Sequence, residues 1–199
     1  MKKFSILLSL LFVQFILLGQ KDPVLERRLA EFMQVNDEMD LSKVLDYTYP
    51  KLYTIVPRDQ MLELLQNTFE NENMSIHLDS LHINTIYPVF KLENGSYAKV
   101  IYSMNMLMAL KNDKEDSLTP EKKKERDDYM LSSLPEQYGA GNVNIDPVSG
   151  HLRIKMVSPM VAVKDDYAKQ WCFVNFKEND PITNRLFSKE MLKKLATYK

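Results

Sequence analysis

Three methionines share one side of a strand-like run, with Met104, Met106 and Met108 alternating with Asn105 and Leu107. Thioethers are soft ligands that select soft metals such as Cu(I), so this triad is the sharpest chemical candidate in the chain. The same parity continues through Ala98, Val100, Tyr102 and Leu110. Successive same-face positions point into packing rather than onto one ion, and Met is a common filler of irregular cores. The stripe therefore reads as the core face of a strand. A second candidate, His77-x-Asp79-x-x-His82, holds two of the three histidines. On a regular strand His77 and Asp79 share a face and His82 does not, so joint ligation needs a bulge. The simpler reading is polar residues beside a strand bend, and His151, at a turn exit, reads as exposed. The single cysteine, Cys172, lies in Trp171-Cys172-Phe173-Val174 and reads as a small buried apolar side chain. A catalytic thiol would want a partly exposed, electropositive site.

Hydrolase-elbow, zinc-protease, phosphate-loop and dinucleotide motifs are all missing from the sequence. With five glycines there is little material for a phosphate cradle. Carboxylates sit mostly in charged runs, although Asp46 and Asp79 lie nearer apolar neighbours. The reading assigns no catalytic residue, no metal ligand and no cofactor. The charge balance, 26 basic against 27 acidic residues, gives no pull toward phosphate backbones and argues against nucleic acid as a partner.

The elements that position these residues follow from patterning. Lys2 and Lys3 precede an apolar run from Phe4 to Leu18, and Gly19 stands before Gln20-Lys21-Asp22. That is the layout of a secretory signal peptide, with cleavage after Gly19 or Gln20. The run of about 15 residues is shorter than the roughly 20 that span a bilayer, so no stable membrane insertion is expected after cleavage. No cysteine follows Leu17-Leu18-Gly19, so the chain reads as an exported, soluble protein (periplasmic or secreted) and not a lipoprotein. Residues 1–20 are thus the signal and 21–199 a single domain, large enough for a real core. One cysteine allows no internal disulfide.

Helical periodicity places a first helix from Pro23 to Met39, a short one capped by Asp40, and a third opened by Pro57. Two long strands follow, joined at Glu93-Asn94-Gly95, where Asn-Gly predicts a type I′ hairpin. The first strand, from Met74, switches its apolar parity near Asp79-Ser80, which predicts a bulge, and Pro88 marks an edge or break. Thr119-Pro120-Glu121 starts an inserted helix near 119–134. A short strand at Val143–Ile145 and a strand from Leu152, continuing toward Val163, precede an aromatic, uncharged run, Gln170 to Phe176, read as a central strand. Ser188 caps a C-terminal helix. The fold class is α+β: a bent, mostly antiparallel sheet of about five strands, with the N-terminal helices packed on one face.

This order of helices, then long curved strands, then a late strand containing Gln170-Trp171-Cys172-Phe173-Val174, resembles the cone-shaped domains of the nuclear-transport-factor-2-like superfamily. The resemblance implies a cavity between helices and sheet, and it does not imply an activity. The expected wall of that cavity is Tyr102 with Trp171 or Phe173, and Tyr47 or Tyr49 stands at its mouth. The leading expectation is an exported, non-enzymatic domain that binds a small apolar ligand or an envelope protein partner. A second is a cone-fold hydrolase, isomerase or dehydratase using Asp46 or Asp79 with a Tyr. A third is a homodimer formed through the open sheet face, motivated by Ile101 and Leu107.

Overall fold

The computed structural model describes residues 22–111 and 119–198. The signal-peptide reading falls on residues 1–20, outside the described residues. The rest is an α+β fold. Helices α1 (Pro23–Asp37), α2 (Leu41–Tyr47) and α3 (Arg58–Phe69) come first, with a 3-10 turn at Pro50–Thr54. Strands β1 (Met74–Ile86), β2 (Phe90–Leu92) and β3 (Gly95–Leu110) follow. Next come α4 (Pro120–Ser133), α5 (Pro135–Tyr138), β4 (Val143–Ile145), β5 (Leu152–Lys164) and β6 (Cys172–Asn175). Helices α6 (Pro181–Leu186) and α7 (Lys189–Ala196) end the described chain.

The helix starts obey capping chemistry. Asp22 accepts from the amides of Val24 and Leu25, Asp40 from Lys43, Thr119 from Lys122, Asp180 from Thr183 and Ser188 from Met191. Each cap satisfies an amide that the first turn leaves without a helical partner. Pro57 stands just outside α3 rather than at its first position, and α1 stops at Asp37 because Met39 turns to φ 55°.

The sheet is antiparallel throughout, in the order β1-β3-β5-β4, with β2 also on β3 and β6 also on β5. The inner strands β3 and β5 therefore have β1 and the short β2 on one side and the short β4 and β6 on the other. The expected face switch in β1 is present: the register shifts between Asp79 and His82, and Ser80 takes φ 54°. Among the described residues six strands form where about five were expected, because Tyr87-Pro88-Val89 divides β1 from β2.

Two expectations need correction. Leu92 pairs with Gly95, so Glu93 and Asn94 are the central turn residues. Only Glu93 has positive φ, at 51°, which is the type II′ pattern rather than I′. Gly95 leaves room for an aromatic ring instead: the Tyr97 ring folds back over it, and a Cβ there would meet Tyr97 Oη unless the ring shifted. The aromatic run 172–175 is not central either. It is a marginal strand whose partner is β5, and its burial comes from helices on both sides. The Tyr49 amide donates to Phe173 O at 2.9 Å and helps close that margin.

Each sheet face has its own core. Ala98 and Ala162 lie directly opposite one another, both with no exposed surface, and pack with Val100, Met160, Trp171 and Phe173 around Leu25 and Leu29 of α1. The small pair leaves room for the helix to approach the sheet. Farther along this face, Met106, Met108, Leu152 and Ile154 meet Met130, Leu134 and Tyr138 of the inserted helices. On the reverse face Val161, Val163 and Tyr97 pack with Leu186, Phe187, Met191 and Leu195. Lys99 is buried here, and its Nζ donates to Tyr198 O at 2.5 Å just past the end of α7, where a cation is favoured by the helix dipole.

The turn into β5 is held by one carboxylate. Asp146 Oδ1 accepts from the amides of Val148 and Ser149 and from Ser149 Oγ, and Oδ2 accepts from Arg153 at 2.6 Å. The Ser149 amide, then the Arg153 guanidinium, hold this carboxyl well below the usual carboxylate range. A depressed folded-state pKa contributes stability at pH values above the unfolded-state value, roughly 4. That contribution is lost as pH falls from there toward the folded value. Asp146→Asn is therefore expected to be less stable than wild type at pH 7, with the gap narrowing below about pH 4. Urea unfolding of both proteins at pH 7 and pH 3 checks this, and a gap independent of pH would count against it.

Candidate functional site

A cavity of about 420 Å³ opens between the first three helices and the sheet face that carries Tyr102. Its floor crosses the sheet, from Leu78 and Leu81 of β1, through Tyr102 and Met104 of β3 and Met160 of β5, to Phe173 and Asn175 of β6. Its roof is Phe32, Met33, Val44, Met61, Leu65 and Phe69 from α1, α2 and α3. The sequence folds this way because α3 carries an apolar stripe at helical spacing. That stripe is not fully used in packing: no residue of α3 is fully buried, and Met61, Leu65 and Phe69 are half-buried around the space.

The polar groups of the wall are few and mostly engaged. Asn36 donates to Phe32 O and Thr48 to Val44 O, both within their own helical segments. Asp180 Oδ2 accepts from the Thr183 amide at 2.8 Å. Tyr102 Oη donates to Asn175 Oδ1 at 2.9 Å, and burial raises the pKa of its hydroxyl, so it stays neutral. Among the described residues, Lys177 is the one basic residue of the lining, and it is exposed.

Of the residues expected at the cavity, Tyr102 and Phe173 line it. The Phe173 ring stacks on Phe32 with centroids 4.9 Å apart. Trp171 lies in the same core but away from the lining, 1% exposed, and its Nε1 donates to Asp22 Oδ2 at 3.1 Å. Tyr47 stands outside as well. Its ring lies under the Arg28 guanidinium at 4.1 Å, and its hydroxyl donates to Glu31 Oε2. Tyr49 is buried on the reverse face, where its hydroxyl donates to Asp165 Oδ2 at 2.5 Å.

Neither carboxylate of the enzymatic reading reaches the cavity. Asp46 is exposed and paired with Arg58 at 2.8 Å. Asp79 lies on the reverse sheet face, where it accepts from Asn105 Nδ2 and approaches Arg153. The bulge does bring His82 to the face of His77 and Asp79, opposite Ser103. Among the described residues, however, no group of three His, Cys, Asp or Glu is close enough to hold a metal ion. The methionine stripe is divided between two packing clusters, Met104 beside α1 and Met106 with Met108 beside α4. Cys172 is buried, and burial pushes its thiol up, away from nucleophilic thiolate.

A second, more polar cavity of about 410 Å³ lies on the reverse face near the β2–β3 turn. The Tyr49–Asp165 pair forms part of its wall, and Asp165 Oδ1 also accepts from the amides of Tyr167 and Ala168. These bonds hold the β5–β6 turn. The helical roof of the first cavity was legible only as amphipathic stripes, because nothing in the spacing of Met61, Leu65 and Phe69 distinguishes a packed face from one that borders a void.

No family model, curated protein or solved structure matches this chain. Among the described residues no helix is long and apolar enough to cross a membrane.

Proposed function

We propose that this chain is an exported, non-enzymatic domain that takes a small apolar ligand into the cavity beneath α1, α2 and α3. The observation that carries this reading is the roof itself. An amphipathic helix normally buries its apolar stripe, yet α3 leaves Met61, Leu65 and Phe69 half-buried around an open space. The volume and apolar lining are those of a small-molecule site. A helix-roofed cavity over a bent sheet is also what the resemblance to cone-shaped domains implies, and that kinship is part of the proposal. Export rests on the Lys2-Lys3 start and the apolar run that follows.

A second reading, a homodimer, has one observation in its favour. The reverse sheet face leaves Val157 60% exposed, on the β5 position opposite Ser103 of β3 and between Ile101 and Leu107.

The direct test uses N-phenyl-1-naphthylamine, a neutral fluorophore that brightens in apolar surroundings. Wild type is expected to enhance its emission with saturation, and Leu65→Trp, which fills the cavity, to weaken binding at least about tenfold, or about 1.4 kcal/mol. No enhancement by wild type, or enhancement unchanged in Leu65→Trp, overturns the proposal. Native mass spectrometry of protein recovered from the producing cells reports signal cleavage, retained ligand and oligomeric state together.

A further inference from the structure

From the distribution of polar groups along the cavity, we infer that its ligand is a single-chain amphiphile with an anionic head, of the fatty-carboxylate class. This rests on the apolar-ligand reading above and adds a head group and an orientation to it. The cavity crosses the sheet from β1 to β6, which are separated by β3 and β5. Three strand spacings make that path at least ~14 Å. At one end Leu65, Phe69, Leu78 and Leu81 gather where α3 packs on β1. The other end, where β6 runs out toward α6, carries Asn175 and Lys177.

These two groups share a direction, since alternate residues of an extended segment face the same way. Asn175 Oδ1 is held by the Tyr102 hydroxyl, which fixes the amide so that Nδ2 is the side left to donate. Lys177 supplies the positive charge. Asp180, the acid at this end, keeps its negative charge, but its Oδ2 is turned to the Thr183 amide as the N-cap of α6. Of the other polar residues of the wall, Asn36 and Thr48 donate within their own helical segments, and Thr183 lies beside Asp180 at the β6 end. A long apolar slot with donors gathered at one end suits a carboxylate head and an extended tail. It suits neither a neutral hydrocarbon nor a ligand that is polar at both ends.

The test displaces N-phenyl-1-naphthylamine from the full mature chain with dodecanoate, dodecanol and dodecyltrimethylammonium, each below its aggregation concentration. Dodecanoate is expected to bind roughly fivefold or more tightly than dodecanol, a charge-assisted contact at a partly screened site. The cationic amphiphile is expected to be the weakest of the three. In Lys177→Gln, a substitution at an exposed position, the preference for dodecanoate over dodecanol should fall to less than about twofold. Equal binding of dodecanoate and dodecanol by wild type, or a preference that survives Lys177→Gln, overturns the head-group inference and leaves the apolar-ligand reading standing. Failure of all three probes and of the fluorophore overturns both.

Discussion

Trp171→Ala lowers the unfolding free energy by about 3–5 kcal/mol, the range for truncating a large buried aromatic. Trp171 is 1% exposed and packs in the core that joins α1 to the sheet. It is also tied to the start of that helix. Asp22 Oδ1 caps α1 through the Val24 and Leu25 amides, while Asp22 Oδ2 accepts from the Trp171 indole. One carboxylate thus fastens the helix start to the residue that leads into β6. From the other side, Arg28 Nε donates to Trp171 O at 3.3 Å. Removing the indole leaves a void and frees the docking of α1 in the same step. Trp171→Phe keeps much of the volume and loses the N–H bond, so its cost should be clearly smaller. Chemical unfolding of the three proteins decides the matter. A Trp171→Ala cost below about 1 kcal/mol would show that α1 is held by other contacts.

Phe173→Ala is expected to cost about 3 kcal/mol, toward the lower end for a buried phenylalanine. Phe173 is as buried as Trp171, but its ring also forms part of the cavity wall. The space left by truncation opens into an existing void rather than closing around a new one, and Phe32 loses its stacking partner. The enlarged apolar space should accept a small aromatic guest. Saturating benzene is then expected to raise the melting temperature of Phe173→Ala more than that of wild type, by the linkage of binding to stability. Equal shifts in the two proteins would place the lost ring away from the cavity.

The contrast between these neighbours shows what the sequence could and could not disclose. Alternation along Trp171-Cys172-Phe173 correctly puts the two aromatics on one face and Cys172 on the other. Parity does not say which of two same-face aromatics borders a void, because that depends on where a helix from the other end of the chain comes to rest. The bulge near Ser80 was legible because the apolar parity of β1 inverts there, and a half-buried strand tolerates no such inversion without an extra residue. The parity of β3 was legible for the same reason. The turn at Glu93-Asn94 departs from the I′ pattern that Asn-Gly predicts, because Gly95 borders the Tyr97 ring and does not take a positive φ. The marginal place of β6 was hidden because an uncharged strand buried by helices has the same composition as one buried by neighbouring strands. Helix α6 was missed altogether: Asp180-Pro181 reads equally as a break and as an N-cap with a first-turn proline.

The pairing of β3 with β5 also sets the order in which this chain can assemble. Ser96 meets Lys164 and Met108 meets Leu152, so the central ladder joins segments far apart in sequence, with the whole of α4 and α5 between them. The β2–β3 hairpin closes over two residues. Loop closure favours the hairpin first and delays the central ladder. In that interval β3 presents a sixteen-residue edge carrying Ala98, Val100, Tyr102 and the three methionines, with its β5 side unpaired. Such an edge is a template for pairing with another chain. Folding yield should therefore depend on protein concentration far more steeply than the stability of the finished domain does.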